Sequence, residues 1–492
     1  MGIFDILKKN YLIRPGKIAL IIDDKEYSYE EFYFLVLQTI KNLKKNKFNK
    51  NSIVLLIEDN SLTHILTLFA LSYLNATIVP TGSYYSDNHL IEIYKITKSN
   101  SLIGNKYYCE LFKKKNFIKK FLCSTKSKKF SYFFKKQKKY SLSKSKILPN
   151  KDYIITMSSG STSKPKPIVY SQSTKIIRFN LFKNLYKLNY KDTVIVTCPI
   201  DHSLGMRILF LPFLMGGTCV VMKKFNKSLY YNLVKKYKVS FSVLVSNQLE
   251  QIIKDKKNFN SFFIKKGIVS ASAKLYNSTK KKFIKKKMKL YEMYGAAEVG
   301  TITSINLLEN KNKTKFKSVG TSYNRNINFK ILSDHNSFLG ANKIGEIICR
   351  SPGRLKYYLN KKKKDKNDFF KGYFKTGDLG YKDKDNYLYF LSRKKNIIRR
   401  NGITIYPEDL ESIFLKHKFI KEVCVIGIEK NYSTEIILFA ERSKYCSEFS
   451  IREHCLKNLS SFQMPNKICI INKFPRTNLG KIQKYKLKEL FI

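Results

Sequence analysis

Two kinds of side chain that grip anions meet between Met157 and Ser171. Ser158, Ser159, Ser161, Thr162 and Ser163 surround Gly160, and Lys164 and Lys166 follow, separated by Pro165. Small residues let a backbone approach an anion closely, hydroxyls and free N–H groups donate hydrogen bonds, and lysines supply positive charge. Such a stretch can hold a polyphosphate; it can equally be a polar surface turn. It is not the GxxxxGK[ST] loop, because no glycine precedes a Lys-Ser/Thr pair. Other chemistry-bearing residues follow: His202, Glu298 after Tyr294-Gly295-Ala296-Ala297, Asp378 after Thr376-Gly377, Arg393, and Lys481 after Gly480. Each has an ordinary structural reading. A lone histidine is usually structural, an aromatic, a glycine and an acid can close any strand, and Gly-Asp is a common hairpin signal.

Alternating strands and helices must carry these residues. Ile18 to Ile22 reads as a strand, Asp23 to Lys25 as a turn and Tyr27 to Tyr29 as a second short strand. From Glu30 onward Phe32, Leu35, Val36 and Ile40 recur at helix-face spacing, with Ser28 and Glu31 placed for a capping box. Ile53 to Ile57 is a buried strand, Ser61 to Tyr73 a helix and Ala76 to Pro80 the next strand. This alternation predicts an α/β fold with a parallel sheet. Tyr153 to Met157 leads into the hydroxyl-rich loop and Ile168 to Tyr170 leads out. Strands are expected at Thr193 to Pro199, Ser240 to Ser246 and Gly267 to Ser272. The last hundred or so residues read as a small α/β unit: helix Pro407 to Lys416, strands Glu422 to Ile428 and Glu435 to Ala440, and a helix near Ile451 to Leu459.

A chain of 492 residues with 43% hydrophobic content has length for more than one domain. The net charge of +58 raises nucleic acid or an anionic membrane as a partner. The excess residues, however, are Lys, Asn, Ile, Phe and Tyr, with no Trp, which is the set that A/T-rich codons encode. The lysines run along nearly the whole chain, whereas a nucleic-acid site would concentrate them. Lys113 to Lys146, Lys280 to Lys289 and Lys361 to Lys366 are therefore read as solvated surface. Nine scattered cysteines form no CxxC pair, which argues for a reducing compartment and against a zinc site or a disulfide framework. No signal peptide and no membrane-spanning apolar run are read. The expectation is a cytoplasmic protein with no specific nucleic-acid partner.

The ordered blocks resemble the acyl-adenylate-forming superfamily of acyl-CoA synthetases, luciferases and peptide-synthetase adenylation domains. Ser158 to Thr162 with Pro165-Lys166 is similar to that family's phosphate loop, although Ser163 and Pro167 replace glycines. Pro199 to Met206 resembles its PxxHxxGM segment, where His202 would border the carboxylate pocket. Asp201 leaves a weaker amino-acid-activating reading open. Ser270 to Ala273 stands where the family has GGAPL. Tyr291 to Glu298 is similar to the YGxTE block, which implies Tyr294 stacked on adenine with Gly295 and Ala296 beside it, and Glu298 holding Mg²⁺. Ala297 replaces the usual Thr, so one α-phosphate contact is missing. Tyr373 to Gly380 resembles W[Y/F]xTGD, in which Asp378 would accept both ribose hydroxyls. In Ser392 to Glu411, Arg393 matches a ribose-contacting Arg, Lys395 a hinge and Gly402 the glycine past which the thiol arm of CoA runs. Phe474 to Ile482 is close to PRTxxGKIxR, with Lys481 as the catalytic lysine and Lys484 for the final Arg.

The resemblance implies a large N-terminal domain of stacked α/β sheets, residues 1–393, and a small mobile C-terminal α/β lid, residues 394–492. It implies an AMP-forming acid–thiol ligase using ATP, Mg²⁺ and a small-molecule carboxylate. The acyl-AMP would pass to a thiol, of CoA in a fatty or aryl acyl-CoA ligase, or of a carrier-protein phosphopantetheine in a stand-alone adenylation enzyme. A degenerate, non-catalytic homologue or a lysine-rich nucleic-acid-binding protein is the remaining reading. The acid itself is not readable from one sequence.

Overall fold

The computed structural model describes residues 1–126, 128, 131, 133, 146–158, 166–271, 275, 277–309, 313–359, 368–400, 403–430, 433–442, 447–477 and 480–491. Two large sheets dominate. In one, Thr77–Thr81 pairs in parallel with Ile53–Ile57 and with Asp152–Ser158, and Ser101–Gly104 and Lys120–Cys123 extend the parallel part. Lys166–Ser171 then runs antiparallel to Asp152–Ser158, and Tyr357–Tyr358 closes that edge. The second sheet has nine strands. Ile18–Ile22, Thr218–Val221, Thr193–Val196, Phe241–Val245, Gly267–Ala271 and Leu290–Ala296 lie parallel, and antiparallel strands flank them at both edges.

Helix Leu62–Leu74 shows how the layers meet. Every side chain from Thr63 to Leu74 is buried, and a helix that is apolar on all sides has to lie between elements and not on a surface. Phe69 packs on Phe213 of helix Ser203–Met215 and on Phe32 of helix Tyr29–Lys45. The expected capping box holds: Ser28 Oγ accepts from Glu31 N and the Glu31 carboxylate accepts from Ser28 N. Asn75, the polar residue that interrupts the long apolar run, ends the helix in the left-handed region at φ +54°. Among the described residues no helix is long and apolar enough to cross a membrane.

The parallel α/β expectation describes both large sheets, apart from their antiparallel edges. It does not extend to a six-stranded antiparallel sheet built between Asn328 and Arg393. Several of its strands are only two residues long, Phe338–Leu339 and Phe369–Phe370 among them, too short for any periodicity to register. The strand expected to run from Thr193 to Pro199 stops at Val196, where Thr197 turns its hydroxyl onto the Val243 carbonyl.

Beyond residue 397, Ile420–Lys430, Ser433–Arg442 and Lys467–Ile471 form a separate three-stranded sheet. It carries helices Pro407–Phe414 and Glu448–Asn458, close to the expected bounds. Two apolar clusters, one around Leu410, Val425 and Leu438 and one around Ile426, Phe439 and Phe474, draw only on residues after 397. Of the lysine-rich stretches, 361–366 and most of 127–145 lie outside the described residues. Lys280 departs from the solvated-surface expectation: it is buried, ion-paired with Glu292, and donates to the Phe316 carbonyl.

Candidate active site

Asp378 sits on strand Tyr373–Lys382, and Arg393 ends the neighbouring strand Leu388–Arg393. The two are direct cross-strand partners, which places Arg393 Nε 2.8 Å from Asp378 Oδ1. Asp378 Oδ2 accepts from the Tyr294 hydroxyl at 2.7 Å. Asp378 is buried, and that burial pushes its carboxyl up against the opposing pull of Arg393, the Tyr294 hydroxyl and Lys481. Burial also raises the Tyr294 phenol well above its ordinary value, so it stays a donor. Asp378 Oδ1, although ion-paired, takes no aligned hydrogen bond from the described residues. A buried carboxylate oxygen with that capacity left suits a sugar hydroxyl.

The approach to Asp378 is fixed locally. Gly377 has φ +71°, its N–H donates to Glu346 Oε1, and Thr376 Oγ1 donates to the Ile347 carbonyl. Gly295 is demanded by a close strand approach, since a Cβ there would fall 2.1 Å from the Gly300 carbonyl oxygen. Gly295 and Ala296 complete the strand that carries Tyr294, and the Tyr294 ring lies 6.1 Å from that of Phe390.

Lys481 arrives from the far end of the chain on a tight turn. Gly480 N donates to the Thr477 carbonyl, Thr477 N to the Lys481 carbonyl, and Lys481 N to Thr477 Oγ1. Burial pushes its ammonium down to about 8, with Arg393 adding to the fall and Asp378 opposing it. The Lys481 side chain is therefore within the field of the Asp378–Arg393 pair. Beneath the turn, Lys484 Nζ donates to Glu411 Oε1 at 3.0 Å, uniting two sequence blocks more than seventy positions apart. Lys395 lies in the short turn Lys394–Asn396 after Arg393. Partial burial pushes it down to about 8, followed by Arg393, Lys488 and Lys166.

The hydroxyl-rich loop joins two paired strands with Ser158 opposite Lys166. Ser159, Gly160, Ser161, Thr162, Ser163 and Lys164 lie outside the described residues, as do Gly402, Ser272 and Ala273. Glu298 stands near the strand that leaves the loop. Its Oε1 accepts from the Tyr358 hydroxyl at 2.9 Å, and Tyr358 pairs with Ile168. Among the described residues no three acidic, His or Cys side chains gather as a metal cage. One carboxylate fits Mg²⁺, which keeps several waters and binds through substrate phosphates. His202 caps helix Ser203–Met215, and its Nε2 is 3.4 Å from the Tyr84 hydroxyl, which also binds Asp201. Asp201 is buried, and its Oδ2 accepts from that hydroxyl.

The structure adds residues that sequence reasoning passed over. Arg178, on helix Gln172–Leu185, donates Nη2 to the Ala297 carbonyl and Nε to the Gly353 carbonyl. Tyr170 donates to the same Ala297 carbonyl. Arg207 donates to Thr301 Oγ1. A signal was present: in so lysine-rich a chain only twelve basic residues are arginine, so each arginine stands out where a lysine does not.

The family described as AMP-binding enzyme matches residues 8–359, and the AMP-binding enzyme C-terminal domain matches residues 409–481. The chain is 23% identical to a 2-succinylbenzoate–CoA ligase of Listeria innocua, over 98% of each chain. It is 27% identical to an oxalate–CoA ligase of Arabidopsis thaliana, over 70% of this chain and 68% of that one. Its fold matches an O-succinylbenzoate coenzyme A synthetase from Bacillus subtilis, solved in complex with ATP and magnesium ion, with a TM-score of 0.88 and 20% identity over 98% of this chain and 99% of that one. With the first of these family matches covering more than half of its length, the chain belongs to the AMP-binding enzyme family.

Proposed function

We propose that the chain is an AMP-forming acid–CoA ligase. A carboxylate oxygen attacks the α-phosphorus of ATP, the bond to pyrophosphate breaks, and an acyl-adenylate forms. The sulfur of CoA then attacks the acyl carbon and AMP leaves. The observation that carries this reading is the buried Asp378 carboxylate, which accepts from the Tyr294 hydroxyl and pairs with Arg393, bringing three separate blocks together; the buried Lys481 ammonium, from a fourth block, is influenced by the charges of Asp378 and Arg393. Relatives named for 2-succinylbenzoate–CoA and oxalate–CoA ligation support CoA over a carrier protein as the acceptor.

Each residue has a physical task in this scheme. Asp378 accepts the ribose hydroxyls, and Arg393 holds that carboxylate in place. Charge builds on the α-phosphate oxygens during attack, so a fixed cation there lowers the barrier. Lys481 supplies it, between carboxylate and phosphate. Ser159 to Lys166 grip the departing pyrophosphate. Glu298 would hold Mg²⁺, which neutralises phosphate charge when bound. His202 borders the acid. Residues 394–492 form a lid that pivots at Lys395, withdrawing Lys481 and bringing the Gly402 face to the adenylate. A closed site also keeps water from the mixed anhydride. The compartment that fits this chemistry and the unpaired cysteines is the cytoplasm.

Carboxylate-dependent exchange of pyrophosphate into ATP tests the reading, with Lys481→Ala beside the wild type. Exchange that needs one class of acid and disappears in the variant is the expected result. ATP binding with no exchange for any acid overturns it.

A further inference from the structure

Behind the Tyr294–Glu298 segment lies a small cleft of about 10 Å³, room for one water-sized group, lined by Arg178, Arg207, Thr301, Tyr323 and Ser351 among others. It abuts the site just described. Val299, Gly300 and Thr301 follow Glu298 directly, and Arg178 reaches both the Ala297 carbonyl and Ser203 Oγ, next to His202.

Its charge is unbalanced. Arg178 and Lys175 are each 5% exposed, and both cations lie over the Tyr170 ring, at 4.6 and 3.9 Å. Among the described residues, every hydrogen-bond acceptor of Arg178 and Arg207 is a main-chain carbonyl or a hydroxyl. Among the described residues no carboxylate pairs with Arg178, Arg207 or Lys175. Arg207 Nε is buried without a hydrogen-bond partner. Neutral dipoles satisfy N–H directions but do not cancel net charge, and a buried charge without a counter-ion is costly. Lys175 can escape by losing its proton, and burial, Arg178 and Arg207 all drive it that way. Guanidinium groups do not have that option at neutral pH. Two fixed cations in an open pocket, with an unused donor, are the counterpart of a small anion.

We propose that Arg178 and Arg207 bind a second carboxylate on the acid, so that the enzyme activates dicarboxylic acids at the carboxyl group away from this pocket. This rests on the ligase reading and names its substrate class. Arg178 spends much of its guanidinium on the Ala297 and Gly353 carbonyls and positions the pocket wall. Arg207 donates Nη1 to Thr301 Oγ1 and keeps a buried Nε without a partner, a donor that a carboxylate oxygen can take.

The test is pyrophosphate exchange by the full chain with matched acids: succinate against butyrate, phthalate against benzoate, and 2-succinylbenzoate against its succinyl monomethyl ester. Calorimetry of dicarboxylate binding accompanies it. The diacid of the best pair is expected to exceed its partner in kcat/KM by roughly 10- to 100-fold, chiefly through KM. Arg207→Met should collapse that ratio and abolish measurable dicarboxylate binding, and Arg207→Lys should restore part of both. Thr301→Val, a smaller change, should reduce the ratio a few-fold and reads the pocket even if Arg207→Met fails to fold. Equal use of both members of each pair, or equal loss for both in the variants, overturns the proposal while the ligase reading stands. No exchange with any acid overturns the ligase reading, and this one with it.

Discussion

Two groups of cations adjoin the Tyr294–Glu298 segment, and they are balanced in different ways. On one side Arg393 and Lys481 face Asp378, a carboxylate supplied by the protein. On the other, Arg178, Arg207 and Lys175 face carbonyls, hydroxyls and a tyrosine ring. The first group holds its own counter-charge and can stay assembled before any ligand arrives. The second has its charge completed from outside. Both carry positive potential, but in the proposed function the first orients a neutral sugar and steadies a transition state. The second is built to select by charge.

The largest expected effect tests the balanced side. Lys481→Ala removes the cation that meets developing phosphate charge and should lower the exchange rate by about a hundredfold or more, with a much smaller change in KM for ATP. If kcat is unaffected, Lys481 is only part of the structural turn. Next is Asp378→Asn, which keeps the shape but removes the counter-charge of Arg393 and the sugar acceptor. KM for ATP should rise roughly 10- to 100-fold, while the preference among acids stays as in the wild type; a changed acid preference would show that the two sides are not separate. A pH profile sharpens the contrast further. Only the protonated Lys481 ammonium carries charge, so kcat/KM for adenylation should fall as pH rises through about 8. Lys481→Arg should move that falling limb to higher pH. The smallest effects are single hydrogen bonds. Tyr294→Phe removes one donor to Asp378 and should weaken ATP binding by no more than about tenfold. Ala297→Thr should strengthen it by a similar or smaller factor, read as KM for ATP.

The sequence made the two sides unequally visible. Thr376-Gly377-Asp378 and Arg476 to Lys481 were legible because each is a compact run whose residue types are needed together. Their meeting was not, since the Asp378–Arg393 contact depends on strand register and Lys481 comes from a different sheet system altogether. The α/β layers were legible from periodicity and from local devices such as the Ser28–Glu31 cap. The antiparallel sheet was hidden in strands too short to show a pattern. The Arg178–Arg207 pocket was hidden for another reason: its residues are single cations on two helices, and although arginine is scarce in this chain, nothing in their spacing brings the two together.

The pairing of Asp378 with Arg393 has a mechanical corollary. The two residues face each other because the turn Asp383–Tyr387, together with a register shift between Leu379 and Gly380, folds their strands back in one particular frame. Asp383 fixes that turn by accepting from the Tyr387 and Asp385 N–H groups, and Lys315 clamps its carboxylate. Successive side chains on a strand point to opposite faces, so slipping the pairing by one residue would turn Arg393 away from Asp378. The length of a surface turn remote from any chemistry is thereby a catalytic parameter, and single-residue insertions or deletions there should be tolerated by the fold far better than by the reaction.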